Sequence, residues 1–412
     1  MTFPGGTMSR IAWRNLWRNR RRTALALAAI GLSCALVLLY DGMLRWESDW
    51  MLDTITGPML GHVQVHAPEW RRTRAMDRTV RRLPDMLERL RRDPDVAEAA
   101  PRIYAPALAA LGEEGFAVVV LGVDVTVESR PARLLAGVTT PPGGRQVLIG
   151  RLLAEQMGVR PGAEIALVGQ GIDGSLANDL FTVAALVDTQ VDFVNRQAVV
   201  MSMEAAQALF VMTDEAHEII LYAHDPAQAG ALAARLNGSS EIGGAEALDW
   251  QTLAPSMVDL IKLVEIAWVF VLLLVFVAAA AGIANTMLMA TFERTHEFGM
   301  LLALGMAPSR IVTMILLESL ALGVTGALLG TALGSALVAW AHQTGVDYAA
   351  LTGGGPSEIS AFGMNWSLRI YPRLEIIDIT RAVLAVVVTS FLAAAWPAIR
   401  AARLQPSRAL RD

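Results

Sequence analysis

The sequence predicts an α-helical membrane domain with four transmembrane helices, joined to a large extracytoplasmic α+β domain. Two observations carry that prediction. At 412 residues, 54% hydrophobic and with mean hydropathy +0.44, the chain is too apolar for an ordinary soluble protein, yet 18% charged residues make it too polar to lie wholly in a membrane. The apolar residues gather in four runs, each near the ~20 residues a bilayer crossing needs, and three of the runs fall in the last third or so of the chain.

The first span is read at 23–44, around "TALALAAIGLSCALVLLY", the second within 256–292, the third at 311–341 and the fourth at 379–397. Arginine near short ends sets orientation. Arg10, Arg14, Arg18, Arg20, Arg21 and Arg22 precede the first span, and Arg400, Arg403, Arg408 and Arg411 follow the fourth, which places both termini in the cytoplasm. Residues 45–255 then form the extracytoplasmic domain, 342–378 a smaller extracytoplasmic loop, 293–310 a cytoplasmic turn and 398–412 a cytoplasmic tail. In the lead, residues 1–22, "SRIAWRNLWRNRRR" reads either as an amphipathic helix along the inner leaflet or as orientation signals alone. Both give the same topology.

Residues 45–255 alternate strand and helix patterns. "GHVQVHA" has strand periodicity, "TVRRLPDMLERLRR" has helical spacing, "GFAVVVLGVD" is a buried strand, and "EIILYAH" leads into the helical "DPAQAGALAARLN". Short β-type runs crowd residues 143–202. The reading is a split βαβ-type domain with a β-rich insertion at about 143–202.

Several chemistries are excluded. The net charge of −5 is small for the length and the basic residues sit at span ends, so no nucleic-acid surface is expected. Cys34 is the only cysteine, which rules out an intramolecular disulfide and a thiolate cluster; it reads as packing within the first span. "IGLSC" is no lipoprotein signal, because Leu32 is one place too close and the apolar run continues to Tyr40. His62 and His66 lie ~13 Å apart by strand rise, too far to share a metal. With His217 and His224 they read as structural or solvated. Ser202 and Ser256 lack a nucleophile-elbow context, and "THEFG" has Met300 where a zinc-protease motif needs its second histidine. Lys262 is the only lysine and follows no glycine-rich loop, so the chain cannot hold a Walker A site. No catalytic residue, metal or cofactor is expected on this chain.

The remaining signals concern the spans. A helix from 256 to 292 is roughly 55 Å long and runs from the outer domain to the cytoplasmic turn without a breaker. Near its start Asp259, Lys262 and Glu265 recur every third residue and can pair as a stalk. Gly326, Gly330 and Gly334 line up for close helix packing, within one chain or between two. Glu318 is an intramembrane acid that calls for a partner across the helices. The turn itself, "ATFERTHEFGMLLALGMAPSRI", is a compact charged interruption holding Glu293, Arg294, His296, Glu297 and Arg310.

The stretch "ANTMLMATFERTHEFGMLLALGMAPSRIVTMILLESLALGVTGALLG" resembles the shared membrane domain of the FtsX/MacB superfamily of ABC transporter permeases. "PAIRAARLQPSRAL" is similar to its C-terminal signature and "WRNLWRNRRRTAL" to its N-terminal lead. Length and the lack of a fused ATPase look most like the lipoprotein-releasing permeases LolC and LolE. The resemblance implies a bacterial inner membrane, a porter-like outer domain, and a dimer with the same or a related permease. It further implies two copies of a separate ABC ATPase that carry ATP and magnesium, and a lipoprotein or other hydrophobic substrate whose acyl chains would enter beside the first span, where Leu36, Leu38 and Leu39 either line a lateral cavity or contact lipid. The 293–310 turn would be the coupling helix, docking on the ATPase through Glu293, Arg294, Glu297 and Phe298, with Gly299 and Gly305 allowing close approach. Met300, Leu301 and Leu304 would pack upward against the spans. A periplasmic carrier would meet residues 168–181, whose short loop with Gly169, Gly171 and Gly174 does not reproduce the family's carrier-binding hairpin. Two other functions stay open under the same resemblance: FtsX-like signalling to a cell-wall hydrolase and MacB-like efflux of peptides or small molecules.

Overall fold

A computed structural model describes residues 20–347, 358–361, 364–367 and 369–403. The first 19 residues of the amphipathic lead, part of the 342–378 loop (348–357, 362, 363 and 368) and the tail beyond 403 lie outside the described residues. The described residues divide into a helical unit (20–48, 261–347, 369–403) and a sheet unit (49–260, with 358–361 and 364–367).

Among the described residues, four helices are long and apolar enough to cross a membrane: α1 (Arg20–Ile55), α2 (Pro255–Glu293), α4 (Pro308–Thr344) and α5 (Ile376–Ala402), with the short α3 (Thr295–Ala303) between α2 and α4. Each is longer than the ~20 residues of a bilayer crossing, and α5 continues to Ala402 past Pro397. Their shared core holds Ile30, Cys34 and Leu38 of α1, Ile283 and Met287 of α2, Leu322 and Ala327 of α4, and Val386 and Ala394 of α5. The glycine stripe sets the closest approach. A Cβ on Gly330 would stand 2.5 Å from the Gly31 carbonyl oxygen and 2.5 Å from Cys34 Cβ, and one on Gly326 would meet Ile30 Cγ2 at 2.5 Å, so the stripe packs against α1 of the same chain. At the other end of α1, Arg45 holds Asp378 through two hydrogen bonds of 2.9 and 2.7 Å, Nε to Oδ2 and Nη2 to Oδ1. Asp378 also closes the capping box that starts α5.

The sheet unit contains β1 (Val63–His66), β2 (Val96–Leu111), β3 (Glu114–Val123), β4 (Gln146–Gly150), β5 (Glu164–Gln170), β6 (Leu176–Val187), β7 (Ala198–Ser202), β8 (Glu218–Ala223) and β9 (Glu246–Asp249). They join in the order β3-β7-β4-β6-β5-β2-β8-β1-β9, and β3 also pairs with β2. That extra pairing closes β2, β3, β7, β4, β6 and β5 into a ring, leaving β8, β1 and β9 as an antiparallel extension from β2. The β-rich stretch at 143–202 is therefore hydrogen-bonded into the rest of the domain through β2 and β3. The helical pattern at 79–92 starts only at Leu83, where Pro84 occupies the first turn and Arg82 takes a left-handed conformation ahead of it.

β2 is the structural surprise, because it carries Pro101 and Pro106 yet lies mid-sheet. Pairing explains it. β2 meets β8 along residues 96–102, β3 along 102–111 and β5 along 107–110, so each proline stands where the strand has one neighbour only.

Candidate functional site

The charged interruption folds as a helix break. α2 stops at Glu293; Arg294 leaves helical geometry at φ −109°, ψ 14°, and α3 begins at Thr295. Gly305 takes φ +87°, which reverses the chain toward α4, and Pro308 sits in the first turn of that helix.

Arg294 organises the turn. Its Nε donates to Glu297 Oε2 at 3.0 Å, its Nη1 lies 3.1 Å from Glu318 Oε2, and its guanidinium carbon stands 5.1 Å from the centroid of Phe298. Glu318 thus finds the cross-helix partner its depth requires. Phe298, Leu301, Leu302 and Met306 pack on Ile311, Met314 and Ile315 of α4 and on Ala398 and Ala401 of α5.

This geometry revises the docking set expected from sequence. Arg294 is largely covered, and Phe298 and Gly299 are buried in the unit's own core, so none of the three presents a free surface. Met300 and Leu304, expected to pack inward, face out instead, Leu304 at 84% exposure. Helical phase is the reason: at 100° per residue, 298, 301 and 302 share one face while 296, 300 and 304 share another. The outward face comprises Phe292, Glu293, His296, Met300 and Leu304, with Gly305 beside it and Glu297 half-covered at its edge. Charge alone marks His296 as part of the turn but not of its docking face, and it marks neither Phe292 nor the outward turn of Leu304, which depend on helical phase.

Other expected site residues fall as follows. Asp259, Lys262 and Glu265 are all exposed on α2, and no ion pair within 4 Å joins them; at full solvation the Coulomb gain of such a pair is comparable to the entropy of holding it. Leu36 is half-exposed, Leu39 half-buried and Leu38 fully buried against the glycine stripe, so the three do not line one cavity. Leu36 and Leu38 are 200° apart around the helix. The stretch 168–181 forms the turn of the β5–β6 hairpin, where Asp173 Oδ1 accepts from the Ser175 amide and hydroxyl and Leu176 stands exposed.

His62 and His217 have structural roles. His62 Nδ1 accepts from the Ala223 amide, and burial lowers its pKa. His217 Nδ1 accepts from the Tyr104 amide at 3.0 Å while Nε2 faces the Met76 carbonyl at 3.2 Å, which fixes the neutral Nε2–H tautomer. Burial brings His217 down to about 4. Burial raises the neighbouring Glu218 carboxyl, which accepts from Tyr104 Oη at 2.7 Å.

Residues 269–406 match the family model described as FtsX-like permease C-terminal. The chain is 24% identical over 345 residues to the lipoprotein-releasing system transmembrane protein LolC of Xylella fastidiosa, covering 77% of this chain and 78% of that one. LolC of Neisseria meningitidis is 24% identical over 276 residues, 66% of each chain. The macrolide export ATP-binding/permease protein MacB of Chlorobium luteolum is 29% identical over 130 residues, 32% of this chain and 16% of that protein. Four long apolar helices around a glycine-packed core, the match of residues 269–406 and likeness to LolC over most of the length lead to one assignment: the last third of the chain is an FtsX-like permease domain, in a chain similar over most of its length to LolC.

Proposed function

We propose that this permease couples a separate ABC ATPase to the sheet unit, and that the cycle extracts a lipid-modified or hydrophobic substrate, lipoproteins foremost, from a bacterial inner membrane. The observation that carries the reading is the turn at Arg294. Its inner side is fastened to Glu318 and to the Phe298 cluster, while its outer side offers Glu293, His296, Met300 and Leu304. A docking element needs both: a rigid attachment to the spans and an exposed face that mixes apolar anchors with charge.

In this reading both termini and the turn are cytoplasmic, following the arginine bias, and the sheet unit is extracytoplasmic. Its β9-β1-β8-β2 half, in which β8 separates β1 from β2, supports the porter-like split βαβ description. ATP and magnesium belong to the ATPase, present in two copies, and a second permease, identical or related, completes the dimer. α2 is one helix of 39 residues from Pro255 to Glu293, and so offers a stiff path between the turn and the end of the sheet unit's chain. Transmission of force along it, rather than opening of a pore, is the mechanism proposed. A glycine pair inserted near Glu265 then uncouples hydrolysis from transport.

The test is purification of the tagged chain from its native membrane, with everything retained identified by mass spectrometry. Recovery of an ATPase with lipoproteins supports the reading, and M300E/L304E then loses the ATPase while the chain still folds. An ATPase accompanied only by a cell-wall hydrolase redirects the function to signalling, and one accompanied by peptides or small molecules to efflux. Recovery of no ATPase overturns the coupling role of the turn.

A further inference from the structure

One face of the sheet unit is left unfilled. Gln64 of β1, Tyr104 and Pro106 of β2, Val119 of β3 and Glu218 of β8 share that face by register and border a cavity of about 510 Å³. Its size lies within the ~300–1,000 Å³ typical of small-molecule sites. The walls are apolar on three sides: Met59 and Leu60 ahead of β1, Trp70 from the helix Trp70–Thr73, and Val191 and Phe193 around the helix Asp192–Gln197.

The charge is asymmetric. Arg71 and Arg74 both line the cavity, and no carboxylate oxygen lies within 4 Å of either among the described residues. Arg74 lies over the Trp70 ring at 4.2 Å and toward Tyr104 at 5.7 Å; Arg71 donates to the Leu253 carbonyl. Burial and then the charge of Arg74 lower the pKa of Arg71, with the charge of Glu218 opposing them, so an anion placed between the two arginines offsets their mutual repulsion. Glu218, the single carboxylate in the lining, is already engaged by the Tyr104 hydroxyl.

We propose that this cavity binds an anionic amphiphile. Its apolar chain lies along Met59, Leu60, Val191 and Phe193, and its carboxylate or phosphate head is held by Arg71 and Arg74. A planar guanidinium already positioned on an aromatic face suits such a head, because little side-chain freedom is lost on binding. The inference concerns the sheet unit alone and does not depend on the ATPase reading.

The experiment uses the full-length chain in nanodiscs of zwitterionic lipid. Three photoprobes with the same mid-chain diazirine are compared: palmitic acid, its lysophosphatidic acid counterpart and the matching fatty alcohol. Adducts are mapped by peptide mass spectrometry, reading only peptides that contain residues 57–60 and 191–193. The expected result is labelling there by one or both anionic probes, and which of them labels identifies the head group. Labelling falls about tenfold in R71Q/R74Q, the loss that corresponds to a charge-assisted contact. A filling variant, V191W, blocks labelling with both arginines intact, and unchanged unfolding temperatures show that each variant is folded. Equal labelling by the alcohol, labelling unchanged in R71Q/R74Q, or no adduct on these peptides overturns the proposal.

Discussion

Arg294 and Glu318, 24 residues apart in sequence, meet at 3.1 Å where the charged turn joins the third spanning helix. The same arginine reaches Glu297 and lies against Phe298, so one side chain ties α3 to α4. Removing either member of a nearly buried ion pair leaves the other charged and desolvated, which costs about 3 kcal/mol. Glu318→Ala and Arg294→Ala are each expected to lower the unfolding temperature of the purified chain. In a double-mutant cycle the two losses fall short of adding, with a coupling of about 1–3 kcal/mol. Strict additivity would show that the pair does not fasten the turn.

The contact between α1 and α4 predicts a contrast between two glycines in helix interiors. Gly330→Ala forces a methyl into the space of the Gly31 carbonyl and Cys34, where backbone cannot yield, and costs about 1–3 kcal/mol. Gly282→Ala meets nothing within 4 Å on exposed α2 and gains up to about 1 kcal/mol of helix propensity. Thermal melts of the two variants in one detergent decide the matter. Similar shifts would mean that propensity, not helix contact, governs position 330.

The two kinds of element differed in how far their sequence revealed them. The four long helices follow from apolar length alone, which depends on no tertiary partner. β2 is not legible as a strand, because "VAEAAPRIYAPALAAL" is rich in alanine and holds two prolines, and only its single-neighbour positions make it tolerable as one. Glu318 was legible as a residue in need of a partner, since a lone acid in a span is costly, but its partner lay in another element. The inward turn of Phe298 and outward turn of Leu304 were open to a count of helical phase. The cavity beside Arg71 and Arg74 was not, because its walls come from β1, β2, β3, β8 and two short helices that only the fold brings together.

A second buried pair, Arg102 with Glu128, has both side chains fully covered and a 2.6 Å contact. Arg102 also donates to the carbonyls of Met59 and Pro58, and Glu128 accepts from the Leu134 amide. Glu128→Gln is expected to destabilise the sheet unit by about 3–5 kcal/mol, since it strands a buried guanidinium. R102M/E128L removes both charges but orphans the backbone groups they satisfied. It therefore remains about 1–3 kcal/mol below the wild type rather than matching it. Denaturant unfolding of the full chain, followed by exchange of β2 amides, reads both. A double variant as stable as wild type would mean that those carbonyls find other donors.

His217 supplies a dependence on pH whose sign is fixed by geometry. Its Nδ1 accepts the Tyr104 amide hydrogen, so the folded protein holds it neutral, and burial places its pKa at about 4, below the ordinary 6.5. The unfolded chain binds the extra proton between those values. The stabilisation is therefore complete above about pH 6.5 and is lost progressively as pH falls toward 4, amounting to about 2 kcal/mol lost by pH 5. Glu218 opposes this trend, because its raised pKa lets the folded state take up a proton as pH falls. The comparison that isolates His217 is thus wild type against His217→Gln, which retains a donor for the Met76 carbonyl but cannot titrate. Wild type is expected to lose stability relative to the variant between about pH 7 and pH 5, as read by amide exchange at Tyr104 and along β8. Parallel pH profiles would show that His217 takes up its proton in the fold as readily as in the unfolded chain, and that its hydrogen bond to the Tyr104 amide is not made.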